Sequence, residues 1–238
     1  MADGPGEGVV SRGTGAAAEK FFGDRLALAE RYAAELATSG VQRGLLGPRE
    51  VPRLWERHLL NCAAVVELIG SDVRLVDVGS GAGLPGVVIA IARPDVEVTL
   101  VEPLLRRVTW LAEVVESLGL PNVTVHRSRA EEAAREGLQF DVATARAVAS
   151  LGQLATWSLP LVRPGGELLA LKGAMAAVEL ADSTDVLRAH GAVSWDVVVC
   201  GEGLLSEPTT VVRVGKSAAA PARPTPGKRS ASRSRRRR

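Results

Sequence analysis

Hydrophobic and polar positions follow two different patterns along the chain. Between residues 19 and 69, apolar side chains recur every three or four positions, as on one face of a packed helix. From residue 73 onwards, short apolar runs of strand length alternate with helical segments. Strands that alternate with helices are typical of an α/β fold around a parallel sheet. We therefore expect a helical cap over residues 18–70, followed by an α/β domain over residues 71–216.

The α/β domain is predicted to contain seven strands and five helices. The predicted strands are residues 73–78, 96–101, 123–126, 140–145, 167–171, 192–199 and 209–214. The predicted helices are residues 87–92, 104–118, 130–136, 151–162 and 174–190, in addition to residues 19–37 and 49–69 in the cap. The last two strands leave no room for a crossover helix between them. They should therefore form an antiparallel hairpin at the edge of an otherwise parallel sheet.

A glycine-rich loop follows the first strand and marks the first candidate site. Glycines let a ligand approach the backbone closely, and the free N–H groups at the start of the next helix face that ligand. Residues 81–86 spell the G-x-G-x-x-G pattern of NAD-binding domains, and Glu102 supplies the acid expected there. However, Asp77 and Gly79 precede this pattern, as in the first motif of methyltransferases that use S-adenosylmethionine (SAM). We favour SAM over NAD, and a structural loop without a ligand is the third interpretation.

Residues at the carboxyl ends of the later strands complete the candidate site, because ligands of doubly wound sheets lie at that edge. Glu102 ends the second strand and should accept hydrogen bonds from ribose hydroxyls, unless it only caps the following helix. Ala130 and Glu131 follow the third strand, where an adenine ring is expected. Arg146 follows the fourth strand and is either a ligand contact or a structural ion-pair partner.

Length and composition limit the function further. A chain of 238 residues with 46% apolar residues is long enough for one α/β domain and a small extension. No apolar run is long enough to cross a membrane, and residues 1–20 lack the apolar core of a signal peptide. Cys62 and Cys200 form neither a metal-binding pattern nor a disulfide framework. We therefore expect a cytoplasmic protein that binds no metal and no membrane.

Six short motifs, in this order, make the sequence similar to one family. They are Arg57-His58, the loop from Asp77 to Gly86, Arg106-Arg107, Ser128-Arg129-Ala130-Glu131, Ala145-Arg146-Ala147 and Ala170-Leu171-Lys172-Gly173. Together they resemble the RsmG (GidB) family of 16S ribosomal RNA guanine-N7 methyltransferases. The resemblance implies the class I SAM-dependent methyltransferase fold, which is Rossmann-like. It also implies SAM as the cofactor and 16S rRNA or the small ribosomal subunit as the partner, and we expect a monomer.

The loop pattern, the strand ends and the resemblance together assign roles to individual residues. The candidate SAM-binding residues are Asp77, Gly79, Gly81, Gly83, Leu84, Glu102, Ala130, Glu131 and Arg146. The candidate RNA-binding residues are Arg57, His58, Arg106, Arg107, Arg129 and Lys172. Of these, Arg146 and Lys172 are expected to position the reacting groups. Asn61-Cys62 and residues 44–47 depart from the family pattern, so the resemblance carries least weight for substrate contacts in the cap.

The chemistry of N7 methylation fits the residues present. Methylation of a pyrimidine C5 needs a cysteine nucleophile. Methylation of an exocyclic amine commonly needs an (Asn/Asp)-Pro-Pro-aromatic loop, and this chain has Thr-Ala-Arg-Ala at the corresponding position. Guanine N7 has an in-plane lone pair and loses no proton, so its methylation needs only in-line placement. His58 is then better interpreted as a hydrogen-bonded cap histidine than as a general base. A small-metabolite methyltransferase and a non-catalytic nucleotide- or RNA-binding module are the alternatives.

Charge is distributed unevenly between the body and the end of the chain. Residues 217–238 contain eight basic residues and no acid, so a whole-chain charge of +2 leaves residues 1–216 at −6. Residues 1–17 and residues 217–238 are rich in small and polar residues or proline and should be disordered. A cationic tail would offset the repulsion between an acidic body and RNA phosphates. A solvated tail without a role is the alternative.

Deletion of residues 217–238 should reduce the salt dependence of RNA binding. On single-stranded RNA, each neutralised phosphate contributes about 0.7 to the slope of log affinity against log salt. The loss of roughly four such contacts would then lower the slope by about three. RNA binding of the full and truncated chains over a salt series checks this, with SAM affinity as a control that should not change. Equal slopes would show that the tail takes no part in binding.

Overall fold

The computed structural model describes residues 15–147 and 149–218. Most of the two predicted disordered segments, residues 1–17 and 217–238, lies outside the described residues. Where the first segment overlaps them, the structure differs from the prediction. Helix α1 (Gly15–Phe22) includes residues 15–17, and four of its apolar side chains are buried. This burial explains why the helix begins earlier than the sequence pattern indicated.

The cap consists of two helical stretches with irregular geometry. Helix α1 is followed by a 3-10 turn, by α2 (Leu26–Glu35) and by a π-helical turn over Leu36–Gly40. The helix predicted over residues 19–37 is interrupted at Gly23, where φ is +48°. The second stretch, residues 48–68, is helical throughout but changes between 3-10, π and α geometry, and we call it the cap helix. Pro52 in its first part removes a backbone donor, which disfavours a regular α-helix there.

Seven strands form a single sheet whose order is β3-β2-β1-β4-β5-β7-β6. The strands are β1 (Arg74–Val78), β2 (Glu97–Val101), β3 (Val123–His126), β4 (Phe140–Arg146), β5 (Val162–Lys172), β6 (Ala192–Cys200) and β7 (Thr209–Lys216). Strands β1 to β5 pair in parallel, and β7 is antiparallel to both β5 and β6. The predicted parallel sheet with an antiparallel hairpin at its edge is confirmed.

Five helices accompany the sheet, and their bounds follow the prediction closely. They are α3 (Gly86–Ala92), α4 (Leu105–Leu118), α5 (Ala130–Arg135), α6 (Leu151–Ser158) and α7 (Ala176–Ala189). The largest difference concerns β5, which begins at Val162 instead of residue 167. The predicted turn over residues 163–166 is a bulge within β5. Phe140 of β4 pairs with Val162, whereas Val142, only two residues later in β4, pairs with Glu167, so β5 carries the extra residues.

Two hydrophobic clusters pack on opposite faces of the sheet. Neighbouring residues of a strand point to opposite faces, and Leu75 and Val76 of β1 accordingly belong to different clusters. The first cluster joins the cap to α3 and α4, and the second contains the buried side chains of α6 and α7. Phe22 of α1 and Trp55 of the cap helix meet edge to face, 6.3 Å apart. The cap is therefore part of one face of the core rather than a separate domain.

The loop between β1 and α3 is packed so closely that a side chain at either of two of its glycines would displace neighbouring atoms. A Cβ at Gly86 would lie 2.4 Å from Leu100 Cδ2 and 2.7 Å from Asp77 Oδ2. A Cβ at Gly83 would lie 2.6 Å from Val87 Cγ2, and φ at Gly83 is +92°. Gly83 was predicted to bind SAM, but its surroundings assign it to the packing of the loop against α3 and the cap.

Gly86→Ala should destabilise the protein by about 1–3 kcal/mol, the usual cost of a methyl group forced into a packed core. Gly173→Ala is the matched control, because an added Cβ there meets nothing within 4 Å. Urea unfolding of both variants measures the two changes in the free energy of unfolding. A Gly86→Ala variant as stable as the Gly173→Ala variant would contradict the close approach of α3 to β1.

Candidate active site

The carboxyl edge of the sheet holds a cavity of about 660 Å³. It lies above the ends of β1, β2 and β4, where ligands of doubly wound sheets bind. Of the candidate SAM-binding residues, the cavity wall includes Gly79, Gly81, Leu84, Glu102, Ala130, Glu131 and Arg146. It also includes three residues that were predicted to bind RNA, namely His58, Arg107 and Arg129. The structure thus brings most of the predicted cofactor residues together at one place.

Glu102 is the buried acid of this cavity. Its residue is only 1% exposed, and its two carboxylate oxygens accept the backbone N–H groups of Gly81 and Leu104, each at 3.0 Å. The first of these bonds ties the glycine loop to the end of β2, and the second fixes the start of the next segment. Oε2 also accepts from Arg107 Nη1 at 3.4 Å, so the further lone pair that remains is on Oε1. Glu102 therefore has the structural role considered for it and keeps acceptor capacity for a ligand hydroxyl.

Arg107 lies beside Glu102 on the cavity wall, a position that the sequence did not indicate. One of its terminal nitrogens lies 3.4 Å from Glu102 Oε2, and its side chain is 36% exposed. Its Nε is buried without a hydrogen-bond partner among the residues that the structure describes. This placement groups Arg107 with the candidate cofactor residues rather than with an RNA-binding face.

Asp77 lies beneath the loop and not on the cavity wall. It is fully buried, and its Oδ2 accepts the N–H of Gly86 at 2.9 Å, while its Oδ1 has no hydrogen-bond partner in the described part of the chain. Burial raises the pKa of Asp77 to about 7. Burial penalises the ionised form, so the fold loses stability as Asp77 ionises and the pH rises to about 7. Asp77 was predicted to bind SAM, and the structure places it where it holds the start of α3, outside the residues that line the cavity.

Arg146 ends β4 and is anchored to the cap helix by three acceptors. One terminal nitrogen, Nη2, donates to the Arg57 carbonyl at 3.0 Å and to His58 Nδ1 at 2.8 Å. The other, Nη1, donates to Cys62 Sγ at 3.1 Å. The chain then turns sharply at Ala147, whose φ of +54° is unusual for a residue with a side chain. Arg146 thus lines the cavity and also fastens the sheet to the cap, and its three acceptors in the cap helix are neutral groups rather than the acid of an ion pair.

His58 connects Arg146 to an acid of the cap helix. A guanidinium only donates hydrogen bonds, so His58 Nδ1 must be the acceptor and carries no proton. The other ring nitrogen, Nε2, lies 2.9 Å from Glu50 Oε2 and donates its proton there. Burial and the charge of Arg146 lower the pKa of His58 below its ordinary value. The interpretation of His58 as a hydrogen-bonded cap histidine agrees with this geometry.

A second cavity, of about 620 Å³, adjoins the first and shares Arg146 and Ala147 with it. Its wall contains Arg57 and Lys172, two of the candidate RNA-binding residues. Lys172 is held in place, because its Nζ donates to the Ala149 carbonyl at 2.7 Å and to Glu179 Oε2 at 2.8 Å. Glu179 also accepts the Leu151 N–H at the start of α6. Lys172 is thus a fixed positive charge on the wall rather than a mobile side chain.

The two departures from the family pattern both lie at the site. Cys62 accepts a hydrogen bond from Arg146, and Asn61 is joined to Thr209 of β7 by two hydrogen bonds, at 2.8 and 2.9 Å. Leu45 and Leu46, from the other departing stretch, line the larger cavity. These residues therefore have defined contacts in this chain.

Arg106, the remaining predicted RNA-binding residue, has an exposed side chain at the same edge, as does Arg129. The sequence reasoning missed Trp157, a half-buried residue of α6 that lines the larger cavity. The sequence analysis gave residues 151–162 only as a helix and assigned Trp157 no role.

Residues 15–147 and 149–218 contain neither a candidate metal site nor a helix that could span a membrane. No group of three or more histidine, cysteine, aspartate or glutamate side chains there is arranged to hold a metal ion. No helix in the same ranges is both long and apolar enough to cross a membrane.

Solved structures with a similar fold are methyltransferases. TYW2 from M. jannaschii in complex with AdoMet aligns with a TM-score of 0.53 and 12% identity, over 69% of this chain and 78% of that one. A SAM-dependent methyltransferase from Aquifex aeolicus aligns with a TM-score of 0.51 and 18% identity, over 75% of this chain and 97% of that one. At these identities the likeness concerns the fold alone, which is the class I SAM-dependent methyltransferase fold.

Sequence relatives are much more similar. The protein is 58% identical over 198 residues to the ribosomal RNA small subunit methyltransferase G of Paenarthrobacter aurescens, covering 83% of this chain and 91% of that protein. It is 60% identical over 200 residues to the protein of the same name from Rhodococcus jostii, covering 83% and 88%. A family model described as rRNA small subunit methyltransferase G matches residues 25–208. The chain therefore belongs to the rRNA small subunit methyltransferase G (GidB) family, as its motifs indicated.

Proposed function

We propose that this protein transfers the methyl group of SAM to N7 of one guanine in 16S rRNA. The observation that carries the proposal is the position of Arg146, which lies on the walls of two adjoining cavities. The larger cavity contains most of the residues predicted to bind SAM, and the second contains Arg57 and Lys172. A side chain that faces both cavities can hold the nucleobase against the methyl group, as in-line transfer requires.

The larger cavity fits SAM in size and in chemistry. Its volume lies within the range of small-molecule sites. Glu102 keeps a lone pair on Oε1 for a ribose hydroxyl, and Trp157 offers an aromatic ring against which a purine can pack. The glycine loop exposes backbone to the amino acid end of the cofactor. When bound here, SAM would supply a methyl group that is activated by its positively charged sulfur.

The second cavity fits a nucleotide. Arg57 and Arg146 are donors for phosphate or for the guanine O6 atom. Lys172 adds a fixed positive charge next to them. The exposed Arg106 and Arg129 extend the basic character along the same edge and are proposed to contact neighbouring phosphates.

No general base is required, and His58 is poorly arranged to be one. Its Nδ1 lone pair already accepts from Arg146, and its Nε2 proton is directed to Glu50. Guanine N7 attacks with its own lone pair and loses no proton. The chain therefore contributes placement and charge rather than proton transfer, with Arg146 and Lys172 as the positioning groups.

Assembly and location complete the proposal. We propose that the protein acts as a monomer. We place the protein in the cytoplasm, where 16S rRNA and the small ribosomal subunit are found.

Glu102→Ala should weaken SAM binding by about 1–3 kcal/mol, since a buried ligand hydroxyl then loses a charged acceptor. Glu116→Ala is the matched control, because Glu116 is exposed on α4. Calorimetric titration of SAM into both variants and the parent protein measures the difference. Tight binding of NADH in place of SAM to the parent protein would contradict the assignment of the cavity.

Labelled SAM should transfer its methyl group to 16S rRNA and give N7-methylguanosine at one position. Naked rRNA and assembled small subunits are tested separately, and mapping of rRNA from cells with and without this protein locates the nucleotide. Arg146→Ala should lower the single-turnover rate about a hundredfold, because a charged hydrogen-bonding group is lost at the reacting atoms. Arg135→Ala, at an exposed position of α5, is the control.

Other products would contradict the proposal in different ways. Label in a small metabolite but not in RNA would indicate the metabolite enzyme. SAM and RNA binding without any turnover would indicate a non-catalytic module. Methylation at an exocyclic amine would show that the chemistry was wrongly assigned.

A further inference from the structure

We propose that His58 is a positioning residue: its unprotonated Nδ1 holds the Arg146 guanidinium between the two cavities, and a proton on that nitrogen releases it. The proposal rests on the proposed function for its catalytic readout. Its structural part concerns only the contacts of His58, and it can be tested without turnover.

The geometry allows only one arrangement of protons. Arg146 Nη2 lies 2.8 Å from His58 Nδ1, and a guanidinium has no lone pair to offer. The proton of the neutral ring must therefore reside on Nε2, which lies 2.9 Å from Glu50 Oε2. The acid orients the ring by accepting from one nitrogen, and the ring orients the arginine with the other.

The charges around the ring decide its protonation. Glu50 and Arg57 face it from the cap helix, and Arg146 faces it from β4. The side chain is only 12% exposed. Burial and the two arginines disfavour the imidazolium, whereas Glu50 favours it, and the pKa of His58 is lowered as a result. His58 is therefore neutral at pH 7 and gains a proton only below about pH 6.5, its unperturbed value.

Protonation would replace an attraction by a repulsion. A proton on Nδ1 would point an N–H at the N–H of Arg146 and bring two positive charges together. The other two acceptors of Arg146, the Arg57 carbonyl and Cys62 Sγ, belong to the same stretch of the cap helix. Displacement of the guanidinium from His58 therefore disturbs all three bonds. The methylation rate should fall as the pH falls, although no proton is transferred in the chemical step.

Two substitutions separate the two nitrogens of the ring. The side-chain oxygen of His58→Asn can occupy the place of Nδ1, so it retains an acceptor for Arg146 and loses the bond to Glu50. The longer side chain of His58→Gln reaches the place of Nε2, so it retains the bond to Glu50 and loses the acceptor. Neither amide titrates. The pair therefore tests positioning against acid–base chemistry with similar side chains.

Single-turnover methylation is measured from pH 5 to 8 with saturating SAM. We expect the parent rate to decline below about pH 6.5 and both variants to lack this decline. At neutral pH, His58→Gln should be at least about tenfold slower than His58→Asn, since it alone leaves Arg146 without its acceptor. Equal rates for the two variants would overturn the proposal. Loss of all activity in both, with the fold intact, would instead support a base and overturn it as well.

Nitrogen NMR of the histidine rings tests the structural part independently. The chain has three histidines, so a histidine-labelled sample gives few signals, and His58 is identified by its loss in His58→Asn. We expect an unprotonated Nδ1 and a protonated Nε2 at pH 7. A proton on Nδ1 at that pH would overturn the proposal. If the parent protein methylates no RNA, the proposed function fails, while this spectrum still decides the tautomer.

Discussion

The absence of a side chain at Gly86 is the constraint on which the site depends. It allows the first turn of α3 to lie directly on β1, so that the buried Asp77 can accept the Gly86 N–H. The chain between them must then turn within a few residues, and Gly79, Gly81 and Gly83 do so with positive φ. This compressed loop forms the floor of the larger cavity.

The same loop determines how the cap docks. Tyr32 of α2 is fully buried and donates its hydroxyl to the Ala82 carbonyl at 2.7 Å. Most of the boundary between cap and sheet is apolar, as the contact of Phe22 with Trp55 illustrates. At the site itself the boundary is polar, and hydrogen bonds from Arg146 and Thr209 join the two parts. The cap therefore closes the core and also orients the side chains at the carboxyl edge.

Most of the fold could be predicted from the sequence, because the pattern of strands and helices depends on local spacing. Strand β3 and the hairpin of β6 and β7 lie where the pattern put them. The roles of single side chains were harder to predict, because they depend on contacts between distant segments. Asp77 precedes a glycine loop, yet only the close approach of α3 to β1 shows that its carboxyl group binds the Gly86 N–H beneath that loop.

Arg107 and Trp157 are two residues whose place at the cavity the sequence did not predict. The family resemblance predicts that Arg107 binds RNA, and the ion pair with Glu102 at the cavity appears only in three dimensions. Trp157 lies within a predicted helix, and only the folded chain shows that its half-buried side chain lines the cavity. The positions of Arg107 and Trp157 at the cavity cannot be predicted from the local spacing of apolar residues.

The hydrogen bonds of Arg146 fix the orientation of its guanidinium between the two cavities. A guanidinium has five N–H groups. In the part of the chain that the structure describes, three of them donate to the cap helix, through Arg57, His58 and Cys62. The directions of the Nε–H and of the second Nη1–H follow from the three bonds already made, because the group is planar. Under the proposed function these two N–H groups are the ones offered to the guanine, so the cap would determine where the base is held.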